Sequence, residues 1–321
     1  MMRPESLTRR HSKWPDAVMP SARRWLRPLW QRTSRSMQCP GKLRRWPHSL
    51  MRWPCDGGES VNALLNYPGA KWGMAQEIVQ IMPPHRSYLE PFAGSLAVLF
   101  NKPRSAIETV NDIDGDIVNF FRVLRADPER LAREIDLTPY ARAIFDDAYE
   151  NRGETDFDRA VRFCIRSRMG HGFKTYQKTG FKIDVYARER SYCLNCWNDM
   201  PENIRAAAER LKEVQIENRP ALELIRRFRH ENVLIYADPP YLLETRSGKQ
   251  YRHEMTDADH EALLAALKAH PGPVILSGYH SPMYDSELHG WNIIERKAYN
   301  QNGDRRTEVL WCNYEIPTLI G

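Results

Sequence analysis

Residues 87–125 read "SYLEPFAGSLAVLFNKPRSAIETVNDIDGDIVNFFRVLR". A short apolar run ends in a glycine turn, and a helix starts at once in "LAVLFN". A second apolar run ends in acids, and the amphipathic stretch "GDIVNFFRVLR" closes the unit. A β-turn-α-β order this tight leaves little room for anything but the first half of a doubly wound sheet. Upstream, Met74, Ile78 and Ile81 recur at helical spacing and stop before Pro83-Pro84. Downstream the same texture returns. Strands are expected at "VQIEN", "NVLIYA" and "PVILSGY", helices at "ALELIRRF" and "TDADHEALLAALKAH", and a hairpin at "WNIIERKAY" and "EVLWCNY".

Residues 126–214 interrupt this alternation. They hold three helical patterns, "PERLAREI", "FDRAVRFCIRSRM" and "ENIRAAAERLKEV", and a polar aromatic stretch, "GHGFKTYQKTGFKIDVYARERSYC". In that stretch Lys174, Lys178, Lys182, Arg188 and Arg190 alternate with Phe173, Tyr176, Phe181 and Tyr186. The expected organisation is an α/β domain in two parts, residues 59–125 and 215–321, with a mainly helical insert at 126–214.

Charge separates off a further segment. Residues 1–54 carry 13 Lys or Arg against 2 Asp or Glu, so the rest of the chain, at +6 overall, has a net charge of −5. A whole-protein basic argument for nucleic acid therefore fails, and contact with an acidic partner must come from local patches. The same segment holds five of the nine tryptophans and sustains no apolar period. It reads as an unfolded basic extension over residues 1–58, with Met51 a candidate start, or else as a basic-aromatic arm that grips nucleic acid.

No apolar stretch approaches the roughly 18 residues that span a bilayer, and Arg and Pro interrupt every apolar run near the start. No membrane partner is expected. Cys193 and Cys196 form one CxxC without the second ligand pair that a structural zinc site needs. They read as reduced cysteines, and no metal is expected.

Open α/β sheets bind ligands beyond the carboxyl ends of their strands. Three signals fall there. Glu90 to Ser95, "EPFAGS", offers Gly94 for close backbone approach. Asp112, 22 residues after Glu90, ends the next strand, the usual place for an acid that meets ribose hydroxyls. "DPPY", Asp238 to Tyr241, follows the apolar run "NVLIYA". Each alone has a structural explanation: a turn glycine, a helix-capping acid, a strand-ending proline pair. Their order along the chain makes them a set.

In that order, together with "NYPGAKW", "ETVNDIDGDIVNFFRVLR", "ILSGY" and "RRTEVLWCNY", the chain resembles the Dam-like D12 class of DNA adenine-N6 methyltransferases, of the type carried by phages and prophages. The resemblance spans about residues 62–315. It implies a Rossmann-like class I methyltransferase sheet with an inserted target-recognition domain, S-adenosylmethionine as cofactor, double-stranded DNA as partner and a bacterial or phage-infected cytoplasm as setting. It leaves room for a cognate restriction endonuclease. It places Tyr67, Gly69, Lys71, Glu90, Phe92, Gly94, Asp112 and Asp238 at the cofactor, and Asp238, Pro239, Pro240 and Tyr241 at the reaction. Lys174, Lys178, Lys182 and Arg188 are the candidates for DNA phosphates.

The chemistry suits such a motif. The N6 lone pair of adenine is delocalised into the ring, so the amine must be polarised and held in line with the methyl donor. Asp238 and the Pro239 carbonyl can each accept one N6–H bond, and the prolines stiffen both acceptors. Tyr241 offers a face to an extruded base. On this reading Asp238→Ala abolishes transfer with little effect on folding.

One residue departs from the family pattern. The family usually writes a second glycine in "EPFxGSG", and this chain has Leu96 there. Its side chain either crowds the methionine end of the cofactor or is accommodated by a local shift. Crowding would leave a DNA-binding homologue without turnover. Transfer to cytosine N4 or to RNA is the other alternative.

Overall fold

The computed structural model describes residues 61–316, apart from Phe173, Thr175, Tyr176, 187–190, Ser247 and 300–304. The expected basic extension lies outside the described residues. Seven strands form one sheet: β1 (Ser87–Glu90), β2 (Ile107–Asn111), β3 (Val214–Glu217), β4 (Val233–Ala237), β5 (Val274–Gly278), β6 (Asn292–Tyr299) and β7 (Arg305–Cys312).

The central strands β1, β4 and β5 are buried along their whole length. Side chains alternate across a strand, so each of these apolar runs feeds two cores. In β4, Leu234 and Tyr236 enter one apolar cluster, while Val233, Ile235 and Ala237 enter the other. The first cluster takes α1 (Ala75–Gln80), α2 (Ala97–Asn101) and α3 (Gly115–Ala126). The second takes α9 (Ala221–Arg227), α10 (Asp257–Lys268) and α11 (Pro282–Glu287).

The strand order is β3-β2-β1-β4-β5-β7-β6. The first five run parallel, and β7 lies antiparallel between β5 and β6. The order reverses between β1 and β4. That is the switch point where strand ends splay and leave a crevice.

Five helices, α4 (Pro128–Leu137), α5 (Arg142–Glu150), α6 (Asp156–Met169), α7 (Tyr192–Asn198) and α8 (Met200–Leu211), lie between α3 and β3. Local signals set several of their starts. Pro128 opens α4 behind an Asp127 cap, and Thr155 with Asp158 forms a capping box on α6. Phe145, Phe163, Trp197 and Ile204 from these helices share the apolar cluster that holds Tyr88 and Leu234 of the sheet. The insert and the sheet are thus welded through one core. Helix α6 also reaches back to the segment before the first motif. Ser167 Oγ donates to the Asn66 carbonyl at 3.0 Å, and Arg168 donates to the Ala63 carbonyl and Asn66 Oδ1 at 3.2 Å.

Candidate active site

Glu90 ends β1, Asp112 follows β2 and Asp238 follows β4, all at the carboxyl edge of the sheet. They line a single cavity of about 270 Å³. Tyr67, Gly69, Lys71, Phe92 and Gly94 line it too, so the eight residues expected at a cofactor share one space. Phe92, Val98, Leu222 and Met255 give it apolar walls, and the three carboxyl groups give it polar points.

Asp112 is held by the backbone. Gly94 N donates to Oδ2 and Asp114 N to Oδ1, both at 2.9 Å. Burial pushes its carboxyl up to about 6, against those two hydrogen bonds. Gly94 has φ +48°, a conformation that favours glycine, and a Cβ there would press on the Tyr67 ring at 3.1 Å. Burial pushes the Glu90 carboxyl up to about 8, although the Tyr88 hydroxyl donates to it at 2.8 Å.

Asp238 Oδ2 lies 2.9 Å from Lys71 Nζ, and that ammonium also donates to the Gly69 carbonyl at 2.6 Å. Burial opposes the charge on Lys71, but Asp238 first, and then Glu308 of β7, outweigh it and hold its pKa above the usual lysine value. One Asp238 oxygen is thereby committed and the other is not. Pro240 lines the cavity, and Pro239 is buried behind it. The Tyr241 ring lies outside the lining, with Lys71 Nζ 5.0 Å from its centroid and its hydroxyl 2.9 Å from Ser277 Oγ.

Leu96 is fully buried in the core cluster and is not among the residues lining the cavity. Of the two alternatives for Leu96, crowding of the cofactor finds no support in this placement. Its peculiarity is in the backbone. Leu96 caps α2 at φ 56°, ψ 28°, and no other non-glycine residue among those described has a positive φ. A left-handed leucine costs about 1–2 kcal/mol, which explains why glycine suits the position. The buried side chain offsets that cost.

The sequence pattern left out the segment after "DPPY". Residues 242–256 join β4 to α10 and form a wall of the cavity through Tyr251, Arg252, Glu254 and Met255. Glu254 organises the loop by pairing with Arg246 and accepting from Gln250 N and Tyr251 N at 2.8 and 3.0 Å. The loop is fastened across the mouth at two points. Tyr251 Oη donates to the Pro68 carbonyl at 3.0 Å, and Arg252 bridges Asp114 at 3.0 Å and Asp116 at 2.9 Å. A connection this long after a strand-end motif is itself a functional signal, since most are less than half its length.

The candidate phosphate contacts sit in the insert. Their segment is bracketed by bonds from His171 N to the Gly180 carbonyl and from Lys182 N to the Met169 carbonyl, both 2.7 Å. Lys178 pairs with Asp146 at 2.6 Å, and Lys182 Nζ lies 4.8 Å from the Tyr192 ring centroid. Lys174 lies on the same segment, and Arg188 falls outside the described residues. Val185, Tyr186 and Tyr192 beside them are strongly exposed. The four described cysteines, Cys193 and Cys196 among them, are free. Among the described residues no cluster of His, Cys, Asp or Glu could hold a metal ion, and no helix is long and apolar enough to cross a membrane.

The profile of the D12 class N6 adenine-specific DNA methyltransferase family matches residues 67–301. The chain belongs to this family. The match opens at Tyr67 and takes in the cavity, the loop over it and the whole insert. This methyltransferase is 24% identical over 266 residues to the DNA adenine methylase of Vibrio cholerae serotype O1, covering 77% of this chain and 93% of that one. It is 24% identical over 293 residues to a type II methyltransferase of Methanocaldococcus jannaschii, with 79% and 99% covered. It is 25% identical over 268 residues to the DNA adenine methylase of Escherichia coli strain K12, with 77% and 92% covered. The methyltransferase has the Rossmann-like class I sheet that its motifs imply.

Proposed function

We propose that this methyltransferase transfers a methyl group from S-adenosylmethionine to N6 of an adenine extruded from duplex DNA. The observation that carries the reading is the joint placement of Asp112 and Asp238, which face one cavity from two strand ends while Tyr241 lies against the Lys71–Asp238 pair outside that lining.

The cavity fits the cofactor. Its apolar walls suit an adenine ring, Asp112 at the end of β2 suits ribose hydroxyls, and the carboxylates with the Tyr67 ring suit a sulfonium cation. When bound, S-adenosylmethionine supplies an activated methyl group. The protein's task is then to present the amine. The Asp238 oxygen left over from Lys71 accepts one N6–H, the Pro239 carbonyl accepts the other, and both favour the positive charge that develops on N6. Pro239 and Pro240 restrict the backbone that carries these acceptors. Tyr241 takes the face of the base and replaces part of the stacking given up on extrusion.

DNA recognition falls to residues 126–214 in this reading, with residues 59–125 and 215–321 as the catalytic body. Lys174, Lys178, Lys182 and Arg188 contact phosphates, and exposed aromatic side chains accompany them. A cognate restriction endonuclease is a partner the reading allows, in keeping with the type II methyltransferases among the relatives.

The test is expression in cells whose DNA lacks adenine methylation, followed by long-read sequencing. N6-methyladenine at a fixed sequence context is the expected result. Unmodified DNA, or methyl groups on cytosine, would overturn the reading.

A further inference from the structure

β5 ends at Gly278, and Tyr279 follows it off the carboxyl edge of the sheet. A Cβ on Gly278 would meet Trp311 at 3.1 Å and Tyr284 at 3.4 Å, so the strand enters this turn against a close-packed aromatic floor. The Tyr279 ring stands nearly perpendicular to Tyr241, with centroids 4.7 Å apart and planes at 72°. Contacts link the cofactor cavity to this ring: Asp238 and Lys71 both line the cavity, Lys71 Nζ lies over the Tyr241 ring, and Tyr241 meets Tyr279.

Tyr279 also forms part of a second cleft, an open one of about 580 Å³, together with Thr245, His280, Pro282 and Thr307. Its lining decides what enters. No Lys or Arg is among the described residues there, Glu244 is, and His280 sits between Asp285 at 2.7 Å and Glu295 at 3.3 Å. A phosphate meets net negative surroundings in such a place. A neutral, flat, hydrogen-bonding group meets an aromatic face and hydroxyls that suit it.

We propose that Tyr279 is the second wall of the slot for the target base, which enters through this cleft. Tyr241 lies along the face of the base, and Tyr279, at right angles, stops its edge and keeps the amine at Asp238. Tyr279 is a positioning residue in this scheme, set by the sheet rather than by the insert. The inference rests on the methyl-transfer reading above and adds a residue to it.

The test compares Tyr279→Ala, Tyr279→Leu and Tyr279→Phe in the full chain. The DNA carries the target adenine either correctly paired or mispaired, because a mispaired base costs less to extrude. On paired DNA, Y279A and Y279L should lower kcat/KM by about tenfold to a hundredfold, the range of one base–aromatic contact. Y279F should rescue most of that loss. The deficit should shrink on mispaired DNA, and cofactor affinity should stay at the wild-type level. Y279L keeps apolar bulk without a ring, so it remains informative if Y279A fails to fold. An equal deficit on both DNAs, a loss of cofactor affinity, or wild-type turnover by Y279L would overturn the inference alone. A wild-type protein that methylates no adenine would overturn the functional reading first.

Discussion

Lys71 Nζ lies 2.9 Å from Asp238 Oδ2, and only 4% of the lysine side chain is exposed. The residue expected to do chemistry therefore also balances a buried charge. The motif alone predicts that Asp238→Ala leaves folding almost intact. The pair changes that expectation, because removing one partner of a buried ion pair typically costs about 3–5 kcal/mol. Glu308 offsets part of the cost, since it also favours the Lys71 charge. Asp238→Ala should thus lose methyl transfer and also unfold at lower urea. Adding Lys71→Met should recover stability but no activity. If the single variant unfolds within about 1 kcal/mol of wild type, the pair is not a structural element.

Leu96→Gly sets backbone relief against the removal of a side chain. Glycine removes a left-handed cost of about 1–2 kcal/mol. Emptying a fully buried leucine site costs about 2–5 kcal/mol. The net expectation is a protein less stable by up to about 4 kcal/mol in chemical unfolding. Cofactor affinity should be unchanged, because the side chain does not line the cavity. A tighter cofactor Kd in titration calorimetry would restore the crowding explanation.

Sheet and cavity were legible in the sequence for a shared reason. Strands buried on both faces, such as "NVLIYA", show as unbroken apolar runs, and the residues that break them stand at the ligand edge. Asp112 and Asp238 were readable from position alone, and Tyr67 and Lys71 from the resemblance. The loop over the cavity was not readable, because its partners are remote. Tyr251 meets Pro68 across 183 positions, and Arg252 meets Asp114 across 138. Helix α7 was hidden for another reason. "YCLNCWN" has weak helical propensity, and it is started by Ser191 and by Asp184, which accepts from Cys193 N at 2.7 Å. The shared core was hidden as well, since composition marks off residues 126–214 but does not say what they pack against.

Glu90 gives the cofactor-free protein a pH signature. Its folded pKa, about 8, lies above the ordinary carboxylate value of 4.5. The folded state then binds more protons than the unfolded one across that interval, so stability falls as pH rises through it and levels off above pH 8 or so. The fall amounts to about 1.4 kcal/mol at most for each pH unit crossed. Glu90→Gln cannot ionise, so its stability relative to wild type should climb between about pH 5 and 8. Asp112 titrates in part of the same window in both proteins and leaves the difference to Glu90. A difference that is flat with pH would place the Glu90 carboxyl in its ionised form.

Arg252 is the clamp of the loop. Its guanidinium bridges Asp114 and Asp116 while 35% of its side chain is exposed. Asp114 is buried, at 4% exposed, so Arg252→Ala should lower the stability to unfolding by more than the roughly 1 kcal/mol of an exposed pair. The loop wall of the cavity loosens, and S-adenosylmethionine Kd should rise about threefold to tenfold. Lysine should restore only part of this, because a point charge cannot span two carboxylates as the planar fork does. Cofactor affinity equal to wild type in Arg252→Ala would show that Tyr251 and Glu254 hold the loop unaided.

The lysines of the insert should differ in how they answer salt. Removing a lysine that neutralises one phosphate flattens the dependence of log K on log salt by about 0.9. Lys182→Gln is expected to show that full change, and Lys174→Gln a change in the same direction. Lys178 is paired with Asp146 at 2.6 Å, and its charge must leave that carboxylate to serve DNA. Lys178→Gln should therefore weaken binding less and flatten the slope less. Asp146→Asn carries the opposite sign, since it frees the ammonium and removes a negative charge from the DNA face. It should tighten binding, most at low salt where screening is weakest. Measuring these slopes by fluorescence anisotropy separates the roles. Weaker binding by Asp146→Asn would mean that the ion pair shapes the segment, and unchanged slopes in all three lysine variants would move the DNA path to another face.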